Sequence, residues 1–226
     1  MKGNFSMLDL DFTVIWDNIP YLLGGAIITI QVSAIAVTAG LIIGSVFGLA
    51  RISAYWIIRM LASVYVEFIR GTPLLVQIMF IYFGLASIGI TIESRLLAGA
   101  LALSINSGAY VAEIVRAGIQ SIDKGQMEAA RSLGLSYVQA MQFVILPQAY
   151  RRIIPPLVNE FIMLIKDSSL LSAIGTAELM KRAQHIRART FDDFEILFAI
   201  AVIYFMITFT LSKAADYLER RTRIRD

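Results

Sequence analysis

The sequence predicts an all-α integral membrane protein with five transmembrane helices and one helical hairpin held outside the lipid. Three observations carry that expectation. Of 226 residues, 58% are hydrophobic, with a mean hydropathy of +0.71, where a soluble domain has about 45–50% apolar residues. The excess is gathered into blocks long enough to cross a bilayer. One stretch, residues 123–147, DKGQMEAARSLGLSYVQAMQFVILP, interrupts those blocks with polar residues yet keeps a helix-forming composition.

Composition also narrows the chemistry. There is no cysteine, so neither a disulfide framework nor a thiolate metal site is available. A single histidine, His185, argues against a multi-histidine zinc or copper site. Residues 1–18 lack the basic, apolar and small-residue succession of a cleaved signal peptide. With Asp9, Asp11 and Asp17 against Lys2, they read as an extracytoplasmic or interfacial arm. The net charge of +3 is modest and gives no sign of a nucleic-acid partner.

The membrane domain is expected over 19–212. Its first span, about 19–50, is uncharged and about 48 Å long as a helix, so it tilts or projects beyond a core of about 30 Å. Gly40, Gly44 and Gly48 form a small-residue stripe on it, suited to close approach by a helix of the same chain or of a second copy. The second span, about 60–92, is broken by Gly71-Thr72-Pro73. Residues 60–70 are expected near one interface and 74–92 to do most of the crossing. Glu67 and Arg70, three apart, are placed to pair, with a substrate contact as the alternative, and Glu113 and Arg116 have the same spacing. The third span, about 96–117, carries a polar patch at Asn106, Ser107, Gly108 and Tyr110. The fourth, about 153–177, contains Glu160, Lys166 and Asp167. A polar loop over 178–195, a fifth span over about 196–212 and a basic tail, 213–226, complete the chain.

The hairpin between spans three and four divides at Gly134, a left-handed stop. Asp123 with Gln126, and Ser136 with Gln139, each have the spacing of a reciprocal N-terminal cap. Pro147 ends or kinks the second helix. With the hairpin inside, twelve basic residues face the cytoplasm and six face outward, Arg70 and Lys166 lying within spans. That bias places the N-terminus outside and the C-terminus inside the cytoplasmic membrane.

Charges at bilayer depth cost at least about 2.5–3.5 kcal/mol each on insertion scales and should face water or a partner. Glu160 and Asp167 are seven residues apart, on one helical face, while Lys166 points about 100° away. Glu160 and Asp167 are therefore candidates to line a translocation cavity and meet the cationic part of a substrate. Asn106 is a candidate neutral contact or an inter-helix hydrogen bond. Lys166 neutralising one of the acids is the structural alternative.

The string EAARSLGLSYVQAMQFVILPQA resembles the cytoplasmic loop of permease subunits in ATP-binding-cassette importers, matching at Glu128, Ala129, Ala130, Gly134, Ile145, Leu146 and Pro147. EFIRGTPLLVQIMFIYFG (67–84), AYVAEIVRAGIQSI (109–122) and NEFIMLIKDSSLLSAIG (159–175) resemble the polar amino acid group of those permeases. The resemblance implies a type I importer permease fold and alternating-access transport of a polar amino acid, and the two acids of the fourth span point to a cationic one. It implies a dimer of partner ATPases that hold ATP and Mg, a second permease subunit and an extracytoplasmic binding protein, with no cofactor on this chain. It assigns the hairpin as coupling helices. In that role Ala129 and Ala130 keep one face shallow, Glu128 meets partner donors, and Leu133 and Gly134 form the tip and bend. No Gly-x-x-x-x-Gly-Lys-[Ser/Thr] loop is present, so ATP binds on another polypeptide. An ion-coupled transporter using Glu160 or Asp167 should show inverted repeats, and no second copy of the fourth span is found. An intramembrane enzyme lacks its nucleophile or metal motif here, and a transport-free scaffold leaves costly buried acids without a purpose.

Overall fold

The computed structural model describes residues 11–222, with side chains through Tyr217. Among them no strand forms. In chain order the α-helices are α1 (Thr13–Arg51), α2 (Trp56–Arg70), α3 (Leu74–Met79), α4 (Leu85–Ser87), α5 (Arg95–Gln120), α6 (Lys124–Ser132), α7 (Tyr137–Ala140), α8 (Leu146–Asp167), α9 (Leu179–Thr190) and α10 (Asp193–Thr222). Single π turns, Phe80–Gly84 and Met141–Ile145, join α3 to α4 and α7 to α8.

The most buried long helix is α5, and α1 lies along it. The reason is the glycine stripe. A Cβ on Gly44 would stand 2.5 Å from Val111 Cβ, and one on Gly48 would stand 2.8 Å from the Ala112 carbonyl oxygen. Only glycine permits that approach, so the stripe packs within the chain. The outer faces of α1 and α10 remain apolar and exposed, at Ile27, Ile35 and Ile42 and at Phe198, Phe205 and Met206, as lipid-facing helices require.

Three helices, α1, α5 and α10, are long and apolar enough to cross a membrane. The second expected span is two pieces. α2 and the Leu74–Ser87 segment meet at a bend of 102°. Leu74–Ser87 rises about 21 Å, and the chain then turns at Gly89 (φ 90°), so the expected second span takes the form of a bent pair and not of one straight rod. α8 is long enough, but Arg151, Arg152, Glu160, Lys166 and Asp167 keep it from matching the other three in hydropathy.

Other boundaries moved as well. The expected arm is helical from Thr13, residues 1–10 lying outside the described region. The tail is helical through Thr222. The polar loop is largely the helix α9, set against α1 and α10 through Leu22, Leu179, Ile186, Ile196 and Ile200. Glu178 caps it, accepting from the backbone of Met180 and Lys181 at 2.8 and 2.7 Å, and also accepts from the Tyr204 hydroxyl at 3.1 Å. Arg182 donates to the Tyr21 carbonyl at 2.7 Å and Arg187 pairs with Asp193 at 2.7 Å, so the outward-assigned basic side chains are partly consumed internally.

Glu67 does not pair with Arg70 as expected. It lies 3.7 Å from Arg51, and Arg70 lies 3.9 Å from Glu113. The bend at Gly71 brings the last turn of α2 beside α1 and α5, where partners from other helices outcompete the local one. The Glu113–Arg116 pair forms as the spacing predicts.

Candidate functional site

The break after α2 exposes backbone that must be satisfied. Gln77, one turn into α3, does this: its side-chain amide donates to the Ile69 carbonyl at 2.7 Å and to the Thr72 carbonyl at 3.1 Å. Its oxygen accepts from Asn106 Nδ2 on α5 at 3.0 Å. Irregular backbone at membrane depth persists only where it is paired or lines a cavity, and here both hold. Arg70, Gly71, Thr72 and Pro73 form one wall of a half-open cavity of about 350 Å³. Asn106 and Tyr110 of α5 form a second wall, and Glu160, Met163 and Asp167 of α8 a third.

The three residues singled out from sequence, Glu160, Asp167 and Asn106, thus meet in one cavity although they lie up to 61 positions apart. Asn106 also makes the inter-helix bond considered for it. Glu160 is buried and Asp167 half-buried. Neither forms an ion pair among the described residues, and Lys166, on the neighbouring face, is exposed. Arg70 faces them across the cavity, its guanidinium 5.4 Å from the centre of the Tyr110 ring.

The hairpin is built almost as its residues dictate. Ser136 and Gln139 form the full reciprocal cap. Gly134 takes φ 87° with open space around it. Asp123 accepts from Gly125 N at 2.7 Å, but Gln126 does not reach back: its side chain accepts from Gln148 on α8 at 3.2 Å instead. Pro147 does not end the second helix. The chain runs from α7 through the wide Met141–Ile145 turn into α8, which places Pro147 in a first helical turn, where a missing N–H is tolerated. Glu128 and Ala129 are exposed. Leu133 and Val138 are 85% and 70% exposed, an apolar tip left uncovered among the described residues. Ala130 is buried within the molecule. The shallow outer face expected of both alanines is therefore provided by Ala129 alone, because Ala130 points toward the body of the chain.

Residues 36–224 match the family model described as the binding-protein-dependent transport system inner membrane component. The chain belongs to this family. The inner membrane component is 45% identical over 219 residues to the glutamine transport system permease protein GlnP of Escherichia coli (strain K12), covering 96% of this chain and all of that one. It is 40% identical over 220 residues to the arginine transport system permease protein ArtQ of Bacillus subtilis (strain 168), covering 97% and 100%. A crystal structure of an amino acid ABC transporter with histidines contains a chain of 46% identity that superposes with a TM-score of 0.91, covering 95% of this chain and 100% of that one. An inward-facing MetNI methionine ABC transporter structure shares the fold at 21% identity and a TM-score of 0.77, covering 92% and 99%. As the permease of an ABC importer, the inner membrane component supplies the path, and ATP hydrolysis belongs to a separate subunit.

Two residues, one lining the permease's cavity and one bracing its wall, are only weakly marked in the sequence. For Arg70 the spacing favours the local pair with Glu67 over a substrate contact, because its neighbours Glu113 and Tyr110 come from the distant α5. Gln77 sits in an apolar run with nothing but its amide to mark it. The Gly71-Thr72-Pro73 break beside both is the signal that could have found them, since the groups it frees must be met by something close.

Proposed function

We propose that this inner membrane component moves polar amino acids, cationic ones in particular, from an extracytoplasmic binding protein into the cytoplasm. The observation that carries the proposal is the charge balance of the cavity: Glu160 and Asp167 face a single arginine, Arg70. A guanidinium suits an α-carboxylate, which it meets with two parallel donors. One acid suits the α-ammonium group. The remaining acid suits a side-chain cation, whereas a neutral side chain leaves it unmatched at a depth where charge is costly. The volume, about 350 Å³, lies at the small end of ligand cavities, about 300–1,000 Å³, and fits a single amino acid. The relatives named for glutamine and arginine transport support the substrate class.

In this proposal the chain crosses the membrane five times, with α8 as the fourth crossing and its charges turned to the cavity. The N-terminus is outside and the C-terminus inside. Two permease subunits, identical or related, stand side by side over an ATPase dimer that holds ATP and Mg. The exposed hairpin surface of Glu128, Ala129 and Leu133, bent at Gly134, seats in a cleft of the ATPase. Closure of the ATPase dimer on ATP moves that cleft, and the continuous α7–α8 rod transmits the motion to Glu160 and Asp167.

The test is reconstitution of the permease with its ATPase and a panel of amino acids competing for ATP-driven uptake. Arginine, lysine or histidine should compete best. Glu160→Gln and Asp167→Asn should each lower uptake and substrate-stimulated ATPase activity by on the order of tenfold, the loss of one charge-assisted contact. Unchanged transport of cationic amino acids in both variants defeats the proposal.

A further inference from the structure

A second cavity, of about 590 Å³, lies between the α1–α2 turn and the hairpin. Its floor is apolar, formed largely by Ile52, Ile119 and Ile145, and its rim is basic, with Arg51, Arg59 and Lys124 against one acid, Asp123. The Asp123 carboxylate is already engaged in capping α6. Arg59 donates to the Ser53 carbonyl at 3.0 Å, and neither it nor Lys124 forms an ion pair among the described residues. Arg51 gives its terminal nitrogens to Glu113 and Glu67, while its Nε is buried without a hydrogen-bond partner among the described residues. The rim therefore carries uncompensated positive charge. Beside it, Tyr55 and Trp56 are exposed, followed by exposed Ile57, Ile58 and Met60. An aromatic pair leading into an apolar stretch, with arginine among it, is the composition of chain at a membrane–water boundary.

We propose that this cavity binds the headgroup of an anionic phospholipid of the cytoplasmic leaflet. Arg59 and Lys124 hold the phosphate, the apolar floor receives the glycerol and upper acyl carbons, and the chains leave over Trp56. Anionic lipid is enriched at that surface and attracts basic residues there. One wall of the cavity is the α1–α2 turn and the other is the hairpin, so a bound headgroup ties the membrane-embedded body to the docking element. Without it, Arg59 and Lys124 line the same cavity with no ion-pair partner among the described residues. Lipid charge thereby adjusts how firmly the hairpin is held. The inference rests on the proposed cytoplasmic placement of the hairpin.

The test uses the permease–ATPase complex in phosphatidylcholine nanodiscs with a trace of photoactivatable phosphatidylglycerol. Label should appear in peptides containing Trp56 or Tyr137–Met141. It should be competed by unlabelled phosphatidylglycerol and not by inorganic phosphate. It should fall by on the order of tenfold in the Arg59→Gln/Lys124→Gln variant, with Lys213→Gln, which lies outside the cavity, unchanged. The double variant's assembly with the ATPase is measured alongside, so that loss of label is read only on intact complex. Equal labelling in the intact double variant, equal labelling by a photoactivatable phosphatidylcholine, or full competition by inorganic phosphate overturns the proposal. So does carbodiimide crosslinking of Lys124 to the ATPase, which would make the occupant an acidic protein segment. Reaction of Glu128→Cys with an impermeant reagent from the outside face would instead refute the hairpin's placement, independently of the lipid result.

Discussion

Arg51, at the end of α1, donates from Nη1 to Glu113 Oε2 on α5 at 2.6 Å. The same carboxylate accepts from Arg116 and lies 3.9 Å from Arg70 at the end of α2. Three helices distant in sequence thus share one acid. Arg70 lines the cavity with Glu160 and Asp167, and Arg51 lines the cavity beneath the hairpin. Glu113 is the side chain that joins the two.

Glu113→Gln should leave three guanidinium groups without their common partner. Breaking a fully buried pair costs about 3–5 kcal/mol, and Glu113 is 24% exposed, so a loss of about 2 kcal/mol is expected after solvent screening. Glu67→Gln, at a side chain 73% exposed, should change stability by about 0.5 kcal/mol or less. Thermal unfolding midpoints of the purified complex compare the two, and equal midpoints would contradict the shared-acid arrangement.

Gly44→Val should force α1 away from α5, because its Cβ would lie 2.5 Å from Val111 and 2.8 Å from the Gly108 carbonyl oxygen. Overpacking of this kind costs about 1–3 kcal/mol or more. The expected result is reduced accumulation of monodisperse protein. If the stripe served a second subunit instead, the variant would fold normally and lose only its partner, which gel filtration distinguishes.

The two hairpin alanines should part company. Ala129→Trp and Glu128→Lys, on the exposed face, should weaken ATPase co-purification while membrane insertion is unchanged. Ala130→Trp places the same bulk at a buried position and should destabilise the permease itself, by about 1–3 kcal/mol. Limited proteolysis and pull-down, measured on each variant, separate the outcomes.

Gln77→Leu should strand the carbonyl of Thr72 and the amide of Asn106, at about 1–3 kcal/mol for each group left buried and unpaired. Arg70→Gln should raise the KM for uptake while largely preserving stability, because its side chain is 41% exposed at the cavity mouth. A matching fall in melting temperature for both variants would mean that Arg70 supports the bend and not the substrate.

Local chemistry was legible residue by residue. The Ser136–Gln139 cap, the left-handed Gly134 and the Glu113–Arg116 pair each depend on neighbours a few positions away, which sequence spacing fixes. The common face of Glu160 and Asp167 follows from helical period alone. Features that depend on distant partners were not legible. Gln126 bonds Gln148 and not its own helix start. Glu67 and Arg70 choose partners on α1 and α5. The 178–195 segment, polar enough to read as a loop, is a helix because Leu179, Ala183 and Ile186 find α1 and α10.

The sequence by itself determined a helical membrane protein, where its acids lie along α8, and a capped hairpin between apolar blocks, because composition, period and capping are short-range properties. Tertiary structure alone decided that Asn106, Glu160 and Asp167 share a cavity with Arg70, that the glycine stripe of α1 is filled by α5, and that Ala130 turns inward while Ala129 stays outside. These outcomes depend on which helices meet and at what rotation. That is set by the close packing of the whole chain, with the 102° bend at Gly71-Thr72-Pro73 directing α2 and α3 to their separate neighbours.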